Sequence, residues 1–181
     1  MFRALAALLL SAVLLVPGVV SAADKENTLY IDLKDGRVVI EMRPDLAPKH
    51  VAQIKKLARE GKYDGVVFHR VIEGFMAQTG DPDGTGRGGM GEMLPAEFSK
   101  EPHVRGTVSM ARTPDPNSAR SQFFICFVAY PSLDGQYTVW GKVVSGMEFV
   151  DKIKRGLPPS GAVSPPMDKM LKVRVAADVK E

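Results

Sequence analysis

The sequence predicts a mainly β protein, an antiparallel sheet that closes on itself and carries helical covers. Three observations lead there. Runs rich in β-branched and aromatic residues recur along the chain, only two segments keep helical spacing, and strands and helices do not alternate as a parallel sheet requires. Closure follows from number, because so many strands in an open sheet would leave unpaired edges.

The first residues read as a targeting segment. A short basic start ending at Arg3 leads into an apolar run over 4–16, Pro17 and Gly18 break it, and Ser21, Ala22 and Ala23 suit cleavage after Ala22 or Ala23. The run is short against the ~20 residues of a membrane-spanning helix. The chain thus divides into a signal peptide, 1–22, and one domain, 23–181. A periplasmic or secreted protein without a retained membrane span is expected.

The domain opens with Leu29, Ile31 and Leu33 alternating against their neighbours, then Asp35-Gly36, then Val38, Ile40 and Met42, which is a hairpin signal. Pro48 suits a first helical turn, and Val51, Ile54, Leu57 and Ala58 keep helical spacing until Gly61. Further strands are predicted over 66–71, 107–111, 122–128, 139–144 and 171–177. A second short helix, with Met147, Val150 and Ile153 on one face, lies between Gly146 and Gly156. The proline-rich stretch 157–166 reads as a surface loop. The Gly-rich segment 80–106 is long for a compact domain, and such loops tend to be functional.

Composition narrows the function. The chain has 24 basic and 21 acidic residues, and cleavage removes only Arg3 among them, leaving 23 against 21. No block of like charges could neutralise a row of phosphates, so nucleic acid is not an expected partner. The single Cys126, set among Phe124, Ile125 and Phe127, reads as a core thiol. Gly84-Thr85-Gly86-Arg87-Gly88-Gly89 fits a dinucleotide-loop spacing but lacks the strand and helix such a loop joins. His50, His69 and His103 show no metal-ligand spacing, so no metal is expected and each is read as structural.

Strand alternation puts Val66, Phe68, Arg70 and Ile72 on one face, and Gln122, Phe124 and Cys126 opposite Phe123, Ile125 and Phe127. If the latter set is core, the former looks outward. Phe75, Met76 and Gln78 follow closely, so an outer-wall patch of Arg, Gln, Phe and Met is expected, the usual make-up of a small binding site. A bland alternative is an arginine lying over exposed apolar surface.

Phe68-His69-Arg70-Val71-Ile72 followed by Phe75-Met76-Ala77-Gln78-Thr79-Gly80-Asp81 closely resembles the first signature of the cyclophilins. Gly106 to Ala111, Asn117-Ser118, Ser121 to Ile125, Leu133-Asp134-Gly135 and Val139 to Val143 resemble the remaining family blocks, in order, over about 28–179. The resemblance implies a closed eight-stranded antiparallel barrel capped by two helices, with its active site on the outer wall. It implies peptidyl-prolyl cis-trans isomerase activity on proline-containing polypeptides, here unfolded exported proteins, by a monomer without cofactor. Arg70 is similar to the family's catalytic arginine. Phe75, Met76, Phe124 and Leu133 are similar to the proline pocket, and Gln78, Ala111 and Gln122 to the groups that hold the flanking backbone. His69 belongs to the motif without being an acid or base.

Some positions depart from the family. Ser132 stands where many members have a tryptophan, which puts cyclosporin affinity in doubt, and Tyr137 replaces a pocket histidine while keeping a ring. Arg112 replaces a common asparagine, the loop 113–120 carries an extra residue, and the Gly-rich loop is shorter than in many members.

The residue types suit the chemistry. Rotation about an Xaa-Pro bond breaks amide resonance against a barrier near ~20 kcal/mol, taking roughly 10 to 100 s unaided. In the twisted state the proline nitrogen regains its lone pair, so a fixed guanidinium binds that state better than either planar one. Two other classes fit less well. A proline-binding adaptor would not need an intact Arg70, Phe75 and Gln122, and a barrel carrying an internal ligand would not be filled by Phe123, Ile125 and Phe127.

Overall fold

A computed structural model describes residues 25–180; the expected signal peptide and its cleavage point lie outside them. Strands β1 (Thr28–Leu33) and β2 (Gly36–Met42) form the expected hairpin, with the tight turn at Lys34-Asp35 and Gly36 already paired to Leu33. Helix α1 (Pro48–Arg59) follows, then β3 (Arg70–Ile72), β4 (Met76–Thr79), β5 (Thr107–Met110), β6 (Phe123–Cys126), β7 (Val139–Ser145), helix α2 (Met147–Val150) and β8 (Lys172–Val175). All strands join one curled eight-stranded sheet in the order β3-β4-β6-β5-β7-β2-β1-β8, and every pairing is antiparallel.

The continuous closure expected from the sequence is not formed, and β3 and β8 remain the two ends of the ladder. Only the segments just before them meet. Val67 and Lys169 make an isolated bridge, and the Phe68 amide donates to the Asp168 carbonyl at 2.9 Å. The free side of β3 is occupied instead by the proline-rich loop. The Val71 amide donates to the Gly161 carbonyl at 2.8 Å, and the Gly156 amide donates to the Val71 carbonyl at 2.9 Å. An edge covered by a loop needs no partner strand.

Inward-facing residues of the strands form the main core. Leu29, Ile31, Val38, Ile40, Phe123, Ile125 and Trp140 are all buried in it, and Trp140 meets Phe123 edge to face at 5.3 Å between ring centres. Helix α1 covers one opening with His50, Val51, Ile54, Leu57 and Ala58 buried. Its start has no local side-chain cap and Pro48 has no amide hydrogen. The Glu97 carboxylate caps it from a distance, accepting the Lys49 and His50 amides at 3.1 Å each and the His50 ring Nδ1 at 2.6 Å. Helix α2 is shorter than its spacing predicts. The Lys152 and Ile153 amides reach back only three residues, to Phe149 and Val150, so the chain tightens and leaves the helix.

The segment 66–71 also differs from a continuous strand. Val66 and Phe68 are buried in the main core, and so is Val71, three positions on. Alternation is therefore broken around His69, and Arg70 does not share a face with Val66 and Phe68. The cause is a change of partner, from Asp168 at Phe68 to Gly161 at Val71. This break leaves Arg70 on the outer wall.

Candidate active site

On the outer face of β4 and β6, opposite the main core, lies a second apolar cluster. Met76, Phe124 and Cys126 are buried at its base, and Ile72, Phe75, Ala111, Leu133 and Tyr137 pack against them. The β6 alternation makes this division, with Phe123 and Ile125 inward and Phe124 and Cys126 outward. Phe75, Met76, Ala111, Phe124, Leu133 and Tyr137 of this cluster line an open cleft of about 560 Å³ together with His69, Arg70, Gln78, Thr85, Gly86, Arg112, Ser160 and Ala162.

Every apolar residue named from the sequence for this pocket is thus in one place. Phe75 sits in the turn after β3, where its amide donates to the Ile72 carbonyl at 3.1 Å and its carbonyl accepts from the Phe127 amide at 2.8 Å. Its ring rests on Tyr130, 4.3 Å between centres. Tyr137 meets Phe124 edge to face at 5.8 Å, so its ring does wall the pocket. The Ala111 amide donates to the Gln122 carbonyl at 2.9 Å, which pins the end of β5 beside the start of β6.

The polar residues form one chain of hydrogen bonds beside this pocket. Arg70 faces Gln78 across the β3–β4 ladder, and Gln78 faces Phe124 across β4–β6. The Arg70 Nη1 donates to Gln78 Oε1 at 3.2 Å, and Gln78 Nε2 donates to Gln122 Oε1 at 2.9 Å. Gln122 Nε2 donates to the Gly88 carbonyl at 2.7 Å and the Gly86 carbonyl at 3.1 Å. The orientation of both amides is dictated by the two ends, since carbonyls only accept and a guanidinium only donates. A further bond from Arg70 Nε to the Ser160 carbonyl, 3.1 Å, fixes the guanidinium from the proline-rich loop. Among the described residues Arg70 Nη2 makes no hydrogen bond, so a charged donor is held rigidly with one amino group to spare.

The Gly-rich loop is organised around Asp81, which is 0% exposed. Its carboxylate accepts the amides of Asp83, Thr85, Gly86 and Gly88 and the Thr85 hydroxyl, at 2.6–3.3 Å. Burial raises its pKa, but the hydrogen bonds from Asp83, Gly88, Thr85 and Gly86 outweigh this and hold the carboxyl below its ordinary range. The loop amides that would cradle a phosphate are therefore already committed to an internal anion. Gly80, at φ +90°, lets β4 and β6 converge at the head of this loop, because a Cβ there would lie 2.3 Å from the Ser121 carbonyl oxygen.

The three histidines have distinct settings. His50 pairs with Glu97, and His103 joins Asp134 at 3.0 Å and the Ser109 hydroxyl at 3.0 Å. This Ser-His-Asp order is no nucleophile. Ser109 is wholly buried and its hydroxyl donates to the Thr138 carbonyl at 3.0 Å, so the group serves as the floor under Phe124, on which His103 stacks. His69 borders the cleft; burial depresses its pKa first, with Arg70 acting in the same direction against Asp81, so the ring is neutral near pH 7. Cys126 is buried, and burial together with Asp134 pushes its thiol up to about 12. It is the core thiol expected, under the site.

The sequence reading did not anticipate Ser160, Ala162 and Tyr130 at the site. The first two come from the proline-rich loop, whose reach back to β3 depends on backbone bonds that leave no mark in residue pattern. Tyr130 does stand just before Pro131 and Leu133, and its proximity to that family block was the available signal.

Comparison with known proteins bears on the family and the fold. The family model described as cyclophilin type peptidyl-prolyl cis-trans isomerase/CLD matches residues 28–175. A probable peptidyl-prolyl cis-trans isomerase of Brucella suis is 62% identical over 174 residues, 88% of each chain. Peptidyl-prolyl cis-trans isomerase B of Bacillus subtilis is 46% identical over 133 residues, covering 72% of this chain and 92% of that one. Among solved structures, a cyclophilin from Hirschia baltica superposes with a TM-score of 0.76 at 31% identity, over 87% of this chain and 76% of the other. A Cryptosporidium parvum cyclophilin type isomerase, crystallised in the presence of the dipeptide Ala-Pro, gives 0.74 at 28% identity over 82% and 98%. The chain belongs to the cyclophilin type of peptidyl-prolyl cis-trans isomerases.

Proposed function

We propose that this isomerase works at the Arg70 cleft, on Xaa-Pro bonds of exported polypeptides, after removal of residues 1–22, as a periplasmic or secreted monomer. The observation that carries the site is a guanidinium fixed by Ser160 and Gln78 beside an apolar cluster of Phe75, Met76, Phe124, Leu133 and Tyr137. The proline ring occupies the cluster while the acyl side turns. Gln78, Gln122 and Ala111 line the adjoining backbone track.

The work required is modest. Reducing a time of roughly 10 to 100 s to milliseconds needs about 10⁴-fold to 10⁵-fold acceleration, or about 5.5 to 7 kcal/mol. One preorganised donor aimed at the pyramidal proline nitrogen supplies about 3 to 4 kcal/mol, by analogy with oxyanion-hole donors. Exclusion of water from the apolar cluster supplies much of the rest, because the planar amide is the more dipolar state. No bond is made or broken, so the protein need not move a proton or hold a cofactor.

Exchange spectroscopy on an Xaa-Pro peptide tests the site. Arg70→Ala should lower kcat by roughly 10²-fold or more with a smaller change in peptide affinity. Equal losses in both would mean the guanidinium does not distinguish the twisted amide; a proline-binding chaperone or adaptor would instead broaden the peptide resonances without accelerating interconversion of the isomers. The export reading rests on the n-region, apolar run and small-residue site at 1–23. Among the described residues no helix is long and apolar enough to cross a membrane. N-terminal sequencing of the native protein should begin at Ala23 or Asp24, and a mass retaining 1–22 would refute it.

A further inference from the structure

Arginines among the described residues fall into two sets. Outside the site, Arg37 pairs with Asp32, Arg43 with Asp45, Arg59 with Asp178 and Glu26, Arg105 with Asp151, Arg155 with Glu73, and Arg174 with Asp64. Among the described residues the four others, Arg70, Arg87, Arg112 and Arg120, form no ion pair, and all four line the proline cleft or the cleft of about 360 Å³ that adjoins it. The two clefts share Gln78, Gly86, Ala111 and Arg112 as their common wall, and no aspartate or glutamate lines either one.

Two guanidinium groups of the second cleft, those of Arg112 and Arg120, are oriented without being neutralised. Arg112 donates to the carbonyls of Gln136, Thr113 and Pro114 and lies 4.6 Å over the Tyr137 ring. Arg120 donates through Nε and Nη2 to the Gly91 carbonyl, leaving Nη1 without a bond, and the exposed Arg87 side chain makes none. Neutral carbonyls fix position and leave the charge intact. Asp81 is turned into its own loop, and the Asp115 carboxylate accepts the Asn117 amide of its own turn. A planar guanidinium with open N–H groups recognises a carboxylate in a bidentate manner, and three cations in one recess concentrate that preference.

We infer that the second cleft selects an acidic side chain of the substrate polypeptide, within a few residues of the proline, with Arg87, Arg112 and Arg120 as its specificity-determining residues. This rests on isomerisation at the adjoining cleft. It makes the enzyme discriminate among Xaa-Pro sites by charge, and its preference depends on ionic strength because the cleft is open to solvent.

The test is a peptide series with glutamate, glutamine or lysine at each of three positions on either side of one Xaa-Pro bond, assayed by exchange spectroscopy on the mature protein. At one position glutamate should exceed glutamine in kcat/KM by about fivefold at low salt, with lysine below both, and the gap should close as salt rises. Arg87→Gln combined with Arg112→Gln should collapse the glutamate-to-glutamine ratio towards one. Equal rates for glutamate and glutamine at every position of the wild type would overturn the inference, as would a ratio that survives the double substitution. The peptide series leaves the protein unaltered, so the first outcome stands even if a variant misfolds. Acceleration of no peptide at all would instead sink the isomerase site itself.

Discussion

Gln78 stands directly opposite Arg70 in the β3–β4 register, and its amide oxygen accepts the guanidinium Nη1 at 3.2 Å while its amide nitrogen reaches Gln122. The residue is a hinge pin between the charged donor and the Gly-rich loop. Gln78→Leu should therefore lower kcat by about fivefold, the worth of one hydrogen bond of about 1 kcal/mol, with KM changed less. Steady-state assays of the variant measure the split, and a loss confined to KM would show that Gln78 only binds peptide.

Asp81 governs the loop from within. Asp81→Asn keeps one acceptor oxygen but removes the charge that gathers four amides, so a loss of about 1.5–3 kcal/mol in unfolding free energy is expected. Because Gly86 and Gly88 supply the carbonyls that anchor Gln122, activity should fall beyond what stability alone explains. Urea denaturation beside isomerase assays checks this, and limited proteolysis should cut the variant within 80–91 first.

Glu97 ties α1 to the loop ahead of β5 and to the residue just before β7, where the Thr138 hydroxyl accepts the Glu97 amide at 3.0 Å. Burial opposes its ionisation, yet the hydrogen bonds from the His50 ring and the His50 and Lys49 amides prevail and hold its carboxyl below the ordinary glutamate value. The stability it adds is thus complete above that ordinary value, about 4.3, and is lost as pH falls through the lower folded value. Glu97→Gln should unfold about 2 kcal/mol more easily at pH 7, and the gap should narrow as pH falls below the ordinary glutamate value. Denaturation curves across pH 3–7 reveal the convergence, and a gap independent of pH would contradict it.

Cys126 should be inert in the native protein. A buried thiol pushed up to about 12 has little thiolate at pH 8, so a disulfide reagent should modify it only on the timescale of unfolding. Rapid labelling without denaturant would show that the site floor opens far more readily than its packing implies.

Much of the site was legible in the sequence because the relevant information is local or alternating. The β6 residues declare their two faces, and family blocks of fixed order carry Arg70, Phe75, Gln78 and Leu133. What was not legible depends on partners distant in the chain. β4 reads poorly as a strand, since Ala77 and Gln78 are weak β formers, and it exists because β6 supplies a ladder. The broken alternation at His69 and the open ends of the sheet likewise arise from Asp168 and from the loop around Gly161, neither of which strand periodicity encodes. The apolar pattern of α1 was clear; its cap, borrowed from Glu97 more than forty positions away, was not.

The four-residue strand Phe123–Cys126 is the shared wall between the packed interior and the cleft, with a ring on each side in succession. A slip of one position there would send Phe124 inward and Phe123 out, spoiling both surfaces at once. Catalysis and foldedness are consequently inseparable along this strand: a molecule misthreaded at β6 cannot persist as a stable but idle fold, and turnover doubles as a report that the wall has been threaded correctly.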